Sequence, residues 1–193
     1  MLIYSSFILW LLGSYKSITK FDNDNNTNLP FVSIIVAAKN ESKRIPRLLF
    51  HLKKQNYPNE KYEIIMVDDK STDNSISILK KYKKDIVNFS FILINKTPKD
   101  WSSKKWAIYN GIKESKGDII LQTDADCYMN NNWISLMVSP FQNSGIGFVF
   151  SLTPILSTKN SIFQKLLLME SIAQDALSGY IIDKDMIFSC NAR

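Results

Sequence analysis

Apolar runs rich in β-branched residues alternate with helical repeats through the middle of this sequence, and that alternation restricts the fold more than any other feature. Val32 to Val36 reads VSIIV, and Ile45, Leu48, Leu49 and Leu52 then follow at the i, i+3, i+4, i+7 spacing of one helix face. The pair repeats. A strand is predicted over Tyr62 to Val67, and Ser71 to Asp73 is a capping cluster opening a helix through Ile76, Leu79 and Tyr82. Beyond it the pattern predicts a strand over Phe89 to Ile94, a helix from about Ser103 to Ser115 and a strand over Asp118 to Gln122. A short helix around Trp133 and a strand over Ile146 to Leu152 come next. Strands apolar on both faces must be covered on both sides, so the fold class is α/β with a mostly parallel sheet flanked by helices.

The 193 residues, 45% hydrophobic and 22% charged, suffice for one substantial core. Cys127 and Cys190 stand far apart without CxxC spacing, so neither a disulfide framework nor a zinc site is implied, and they read as reduced thiols in a cytosolic setting. Twenty-four Lys and Arg against 18 Asp and Glu give a net charge of +6, which suits an anionic partner. Lys80, Lys81, Lys83 and Lys84 lack interleaved Arg and aromatic residues, so they read as a solvated helix face and no nucleic-acid partner is expected.

Residues 1–20 read as a membrane-associated segment. Leu2 to Gly13 is mostly apolar, but as a helix it covers roughly 18 Å, short of the roughly 30 Å hydrocarbon core. It reads as part of a transmembrane helix, an interfacial anchor or a signal-peptide core, although no basic region precedes it; a helix packed on the domain is the alternative. Lys16 and Lys20 follow it, which would keep the next domain cytoplasmic. Residues 21–30, FDNDNNTNLP, form a turn-prone linker, and 31–193 is the expected domain.

Ligands of open α/β sheets bind outside the carboxyl ends of the strands. Those ends carry Ala37-Ala38-Lys39-Asn40-Glu41, Asp68-Asp69 and Thr123-Asp124-Ala125-Asp126. No GxGxxG or GxxxxGK[ST] loop occurs, so phosphates must be held otherwise. Asp124 and Asp126, one residue apart at a strand exit, offer a hard divalent cation two carboxylates, and the cation would neutralise a diphosphate.

At this point the sequence resembles the GT-A glycosyltransferases of family 2, inverting enzymes that use nucleotide sugars. The resemblance runs from about Pro30 to Ala192 and rests on VSIIVAAKNESKRIPRLL, YEIIMVDDKSTDNS, KKWAIYNGIKESKGDIILQTDADC and SCNA, in that order. It implies a GT-A fold, a nucleotide-diphosphate sugar donor, a glycan or lipid acceptor, and Mn²⁺ or Mg²⁺. It also implies a cytoplasmic catalytic domain flanked by membrane helices. Ala37, Lys39, Asn40 and Glu41 with Asp68 and Asp69 would hold the nucleotide, and Lys105 would meet a phosphate or a sugar hydroxyl. Asp126 would touch the metal directly, with Asp124 nearer the ribose and donor sugar.

Each position also has a plainer reading. Asp68 and Asp69 can end a strand, Glu41 can sit in a helix's first turn, and Lys105 can be a surface lysine. His51 lacks a second ligand nearby, Cys127 reads as a packing residue, and Trp101, Trp106 and Trp133 read as core or rim aromatics. The resemblance places the general base in a Glu-Asp type motif downstream of the position matching Asn191. Glu170, Asp175, Asp183 and Asp185 do not match it, so the catalytic base stays unassigned and an incomplete copy of a longer enzyme is expected. The alternatives are an inactive nucleotide-sugar-binding fragment and a nucleotidyltransferase. The latter should show a Gly-rich signature after the first strand, where AAKNESKR has no Gly.

Overall fold

Four strands form the sheet: β1 (Val32–Ala38), β2 (Tyr62–Asp69), β3 (Phe89–Ile94) and β4 (Ile119–Gln122), in the order β3-β2-β1-β4 with every pair parallel. Between them lie α1 (Ile45–Lys53), α2 (Ser75–Asp85) and α3 (Ser103–Glu114), and α4 (Trp133–Val138) follows β4. The computed structural model describes residues 29–142, 145–151, 161–169 and 171. The predicted anchor (1–20), most of the linker, Glu170, Asp175, Asp183, Asp185 and the SCNA segment lie outside the described residues.

Period-two alternation divides the core between the two faces of the sheet. Val32, Ile34 and Val36 of β1 with Ile64 and Met66 of β2 face Ile45, Leu48, Leu49 and Leu52 of α1 and Leu79 of α2, all buried in one cluster. Ile65 and Val67 face the other way, against Ala107 of α3 and half-buried Trp106. α3 lies close to the sheet because it presents Ala107 and Gly111: a Cβ on Gly111 would stand 2.5 Å from Ile35 Cγ2 and 3.2 Å from Val67 Cγ2. Glycine costs about 1 kcal/mol against alanine inside a helix, so this close packing is what offsets it.

At the opposite end of the sheet from the acidic strand exits, Ser33 Oγ, fully buried, donates to Glu63 Oε1 at 2.7 Å and accepts from the Gly117 N–H at 2.8 Å and the Lys116 N–H at 3.2 Å. This network fixes where the chain enters β4.

One expectation changes. Residues 146–151, expected to be a strand, have no regular structure, and no ladder partner for them occurs among the described residues. A lone extended segment without a partner leaves its backbone groups unpaired and is not a strand. The chain forms two compact units, one of Asn23–Gly147 and the other of Met1–Asp22 with Phe148–Arg193. The first holds the whole described sheet and both core clusters, so it closes its own core. In the second unit residues 162–169 are helical. Among the described residues no helix is long and apolar enough to cross a membrane.

Candidate active site

The strand order makes β1 the branch point, because the chain steps outward from β1 through β2 to β3 and then returns to β1's other side as β4. Loops leaving neighbouring strands in opposite directions open a crevice between them, and here it lies at the carboxyl ends of β1 and β4. The acidic strand exits of the sequence therefore meet at one rim.

The loops after β1 and β2 are joined by hydrogen bonds. The Asn40 N–H donates to Ser71 Oγ at 2.8 Å, and the Thr72 N–H donates back to Asn40 Oδ1 at 2.8 Å. The Glu41 N–H donates to Ser75 Oγ at 3.0 Å, and the Ser42 N–H to Asp73 Oδ2 at 3.1 Å. Asn40 and Lys70 turn these loops with left-handed φ of 56° and 58°, a conformation Asn tolerates better than most residues. Asp73 also accepts from the Ser75 N–H at the start of α2. Hydrogen bonds from Ser75 and Ser42 hold its carboxyl well below the usual carboxylate range. The N-cap residue of α2 is Asn74, which makes no side-chain cap bond; Asp73 of the predicted cluster instead takes the Ser75 N–H and ties the β1 loop down as well.

Asp68 and Asp69 end β2 almost fully buried. Asp68 Oδ2 accepts from the Ser71 N–H at 3.0 Å, while its Oδ1 has no hydrogen-bond partner. Asp69 Oδ1 stands 3.0 Å from Lys70 Nζ in an ion pair whose angle makes no hydrogen bond, so it too keeps lone pairs unused. Lys70 Nζ instead donates to Thr97 Oγ1 at 2.7 Å. Buried carboxylate oxygens without hydrogen-bond donors cost folding energy.

On the other side of the crevice the Thr123 N–H reaches Ile35 O at 3.3 Å, which sets the Thr123 to Asp126 turn beside the end of β1. Asp124 is half-buried, and Lys104 Nζ lies 2.9 Å from its Oδ1 and 3.0 Å from its Oδ2. Asp126 is exposed, and its carbonyl accepts from Arg47 Nη2 at 3.3 Å. Arg47 itself lies over the Tyr128 ring, 4.2 Å from the centroid. Arg44 pairs with both oxygens of Glu41 at 3.0 and 2.8 Å. Its guanidinium is held above its ordinary pKa, chiefly by the Glu41 carboxylate and to a smaller extent by the negative charge of Asp126.

Of the residues singled out in the sequence, Asn40, Glu41, Asp68 and Asp69 share one hydrogen-bonded loop pair. Ala37 is half-buried at the end of β1, and Lys39 is exposed beside it. Lys105 is exposed and makes no ion pair among the described residues; its neighbour Lys104 is the lysine that reaches Asp124. Arg44 and Arg47, three residues apart on either side of the start of α1, were not singled out, yet both stand beside the Asp126 turn. The spacing of Lys104 to Ala107 and Gly111 was the available signal, since i, i+3 and i+7 share a helix face.

No group of three or more His, Cys, Asp or Glu side chains is placed to hold a metal ion among the described residues. Asp124 and Asp126 thus fit a divalent cation only as a partial ligand set, completed by phosphate oxygens, which is how Mg²⁺ is commonly held. The partly exposed Lys104 pair is worth at most about 1 kcal/mol, so it does not bar a cation from Asp124.

The glycosyl transferase family 2 model matches residues 33–187, which includes every loop of this rim and, but for Val32, every described strand. The chain belongs to that family. It is 32% identical over 138 residues to the beta-monoglucosyldiacylglycerol synthase of Nostoc sp., covering 72% of this chain and 29% of that protein. It is 28% identical over 123 residues to the glycosyltransferase AglE of Haloferax volcanii, covering 64% of this chain and 39% of that one. This chain therefore spans well under half the length of these curated relatives. Among solved structures, a mannosyltransferase from Pyrobaculum calidifontis in complex with GDP-Man and Mn²⁺ superposes with a TM-score of 0.57 at 23% identity, covering 70% of this chain and 40% of that one. Residues 1–349 of TarS from S. aureus superpose with a TM-score of 0.50 at 25% identity, covering 69% of this chain and 43% of that one. The sheet is the GT-A sheet that the sequence motifs imply.

Proposed function

We propose that this chain carries the donor-binding part of an enzyme that transfers a sugar from a nucleotide-diphosphate sugar to a glycan or lipid acceptor. The observation that carries this reading is the acidic rim at the switch point, where buried Asp68 and Asp69 each keep a carboxylate oxygen free of hydrogen bonds. These oxygens are suited to accept N–H or O–H groups of a nucleoside. The loop from Ala37 to Glu41, tied to the β2 loop, walls the same side.

Across the crevice Asp124 and Asp126 would hold a Mn²⁺ or Mg²⁺ ion. Such an ion supplies electrostatic stabilisation to a leaving diphosphate. Arg47, fixed on the Tyr128 ring and the Asp126 carbonyl, adds a cation on this side. Lys104 holds Asp124 in place. We place Lys104 rather than Lys105 at the donor site, because the phase of α3 points Lys104 at the rim. No described residue is assigned as the base that deprotonates the acceptor. The diacylglycerol glycoside named in the Nostoc relative and the GDP-Man and Mn²⁺ named with the Pyrobaculum structure agree with this reading.

Calorimetric titration of UDP and GDP into the chain, with and without chelator, tests the cation. Binding is expected to need Mn²⁺ or Mg²⁺, and Asp126→Asn to weaken it at least about tenfold, or about 1.4 kcal/mol. Equal affinities with and without chelator would remove the metal from the reading. The apolar Leu2 to Gly13 run, followed by Lys16 and Lys20, further supports attachment to a membrane with this domain on the cytoplasmic side. Fractionation is expected to place the whole chain with membranes and a chain starting at Leu29 in the soluble fraction. Recovery of both from the soluble fraction would rule out the anchor.

A further inference from the structure

The sheet has an open edge at β3, and its chemistry is unusual for an unpaired strand. Among the described residues β3 pairs with β2 on one side and with no strand on the other. From Ile86 to Asn95 the sequence IVNFSFILIN contains no charge and no proline. Exposed edges are ordinarily blunted by lysines, prolines, bulges or covering segments, because an unpaired ladder is a template for another strand. Leu93 is 40% exposed and Val87, just before β3, is fully exposed.

Which backbone groups are free follows from the pairing. The Ile64 N–H donates to Asn88 O, so Asn88, Ser90, Ile92 and Ile94 turn their N–H and C=O groups toward β2. Phe89, Phe91 and Leu93 turn theirs outward. Phe89 is already occupied: its N–H meets Ile86 O at 3.4 Å and its carbonyl accepts from Lys83 Nζ at 2.7 Å. The N–H and C=O of Phe91 and Leu93 have no hydrogen-bond partner among the described residues. A groove of about 490 Å³ runs beside them, lined by Ile65, Phe91, Ile92, Asn110, Glu114 and Lys116 among others.

We propose that β3 pairs antiparallel with β3 of a second copy of this chain, about a two-fold axis through Ile92. The register follows from the free groups. Only a pairing centred on Ile92 sets Phe91 opposite the second copy's Leu93 and Leu93 opposite its Phe91, so that all four free groups of each strand are used in four hydrogen bonds. In this register Phe91 and Leu93 of both copies share one face of the joined sheet, and the two Ile92 side chains meet on the other, beside the groove. Aromatic and β-branched cross-strand pairs of this kind are favourable. Lys96 falls opposite Asn88, so no like charges face each other. The Lys83 contact at Phe89 O closes the first outward carbonyl and disfavours pairings shifted toward that end. A second copy is a better occupant than a charged peptide, because the edge offers apolar side chains and a self-complementary pattern.

The test uses the full chain with Cys127→Ser and Cys190→Ser, oxidised after adding a single cysteine by Ile92→Cys or Val87→Cys. Residues facing each other in a non-hydrogen-bonded antiparallel pair have Cα atoms about 4.5 Å apart, within disulfide reach. The two Val87 positions would be roughly 33 Å apart in the same register. Ile92→Cys is expected to give a disulfide-linked dimer in roughly tenfold higher yield than Val87→Cys. Adding Leu93→Lys is expected to lower that yield to the Val87→Cys level without lowering the thermal midpoint. Association through the apolar N-terminal segment would not favour position 92. Equal yields at the two positions, or an Ile92→Cys yield indifferent to Leu93→Lys, would overturn the proposal.

Discussion

Replacing Asp68 and Asp69 together by asparagine is expected to weaken nucleoside-diphosphate binding by about a hundredfold or more, while thermal stability stays unchanged or rises. Hydrogen bonds to a charged group contribute about 1.5–3 kcal/mol each, and neighbouring bonds to one ligand do not add fully, so about 2.7 kcal/mol is a conservative total. The stability expectation has the opposite sign for a physical reason. Both carboxylates are almost fully buried and each has an oxygen without a hydrogen bond, so the folded protein bears a desolvation cost that asparagine lowers, and the Asp69 ion pair with partly exposed Lys70, worth at most about 1 kcal/mol, offsets only part of it. The Ser71 N–H keeps an acceptor in the amide oxygen of an asparagine at position 68. Calorimetry with UDP and GDP beside thermal unfolding separates the outcomes. A fall in both affinity and midpoint would make the pair a structural element of the strand end, not a binding element.

Gly117→Ala is expected to be the most damaging small substitution in the described fold. An added Cβ would fall against the Ser33 backbone nitrogen, within 2.7 Å of Ser33 Oγ and 2.8 Å of Ile119 O. Two of these three atoms are backbone and cannot move aside, and the third belongs to the Ser33 hydroxyl that accepts the Gly117 and Lys116 N–H groups. Overpacking of this kind costs about 1–3 kcal/mol, and rigid neighbours place this case at the upper end. For a domain of this size that lowers the thermal midpoint on the order of 10 °C. Gly147→Ala is the control, since a Cβ there meets nothing within 4 Å. Equal midpoints for the two variants would show that the Ser33 network yields without cost. The displacement should also reach the site, because Gly117 precedes the strand that delivers Thr123 to Asp126.

Much of this fold is legible in the sequence because each signal is local. The runs VSIIV, YEIIMV and FSFILI are apolar on both faces, which only a sheet covered on both sides accommodates, and β3 occupies the residues read for it. The 146–151 segment shows the limit: an apolar run marks a strand only where a partner ladder exists, and a ladder is a property of two segments. The Asp68-Asp69 and Asp124-Ala125-Asp126 signals are local in the same way, so the sequence locates the acids without showing what surrounds them.

Composition and periodicity alone thus determine an α/β chain with acidic strand exits, and the ordered motifs point to the glycosyltransferase family. The strand order β3-β2-β1-β4 was decided only in three dimensions, and with it the crevice between β1 and β4. So were the bonds that join the Asn40 and Ser71 loops, between residues distant in sequence. The lysine at Asp124 is the sharpest case. Lys104 and Lys105 are adjacent in sequence but about 100° apart around a helix, and the helix phase is set by which residues press on the sheet. Ala107 and the bare backbone of Gly111 lie against Ile35 and Val67. That contact turns Lys104 toward Asp124 and leaves Lys105 in solvent.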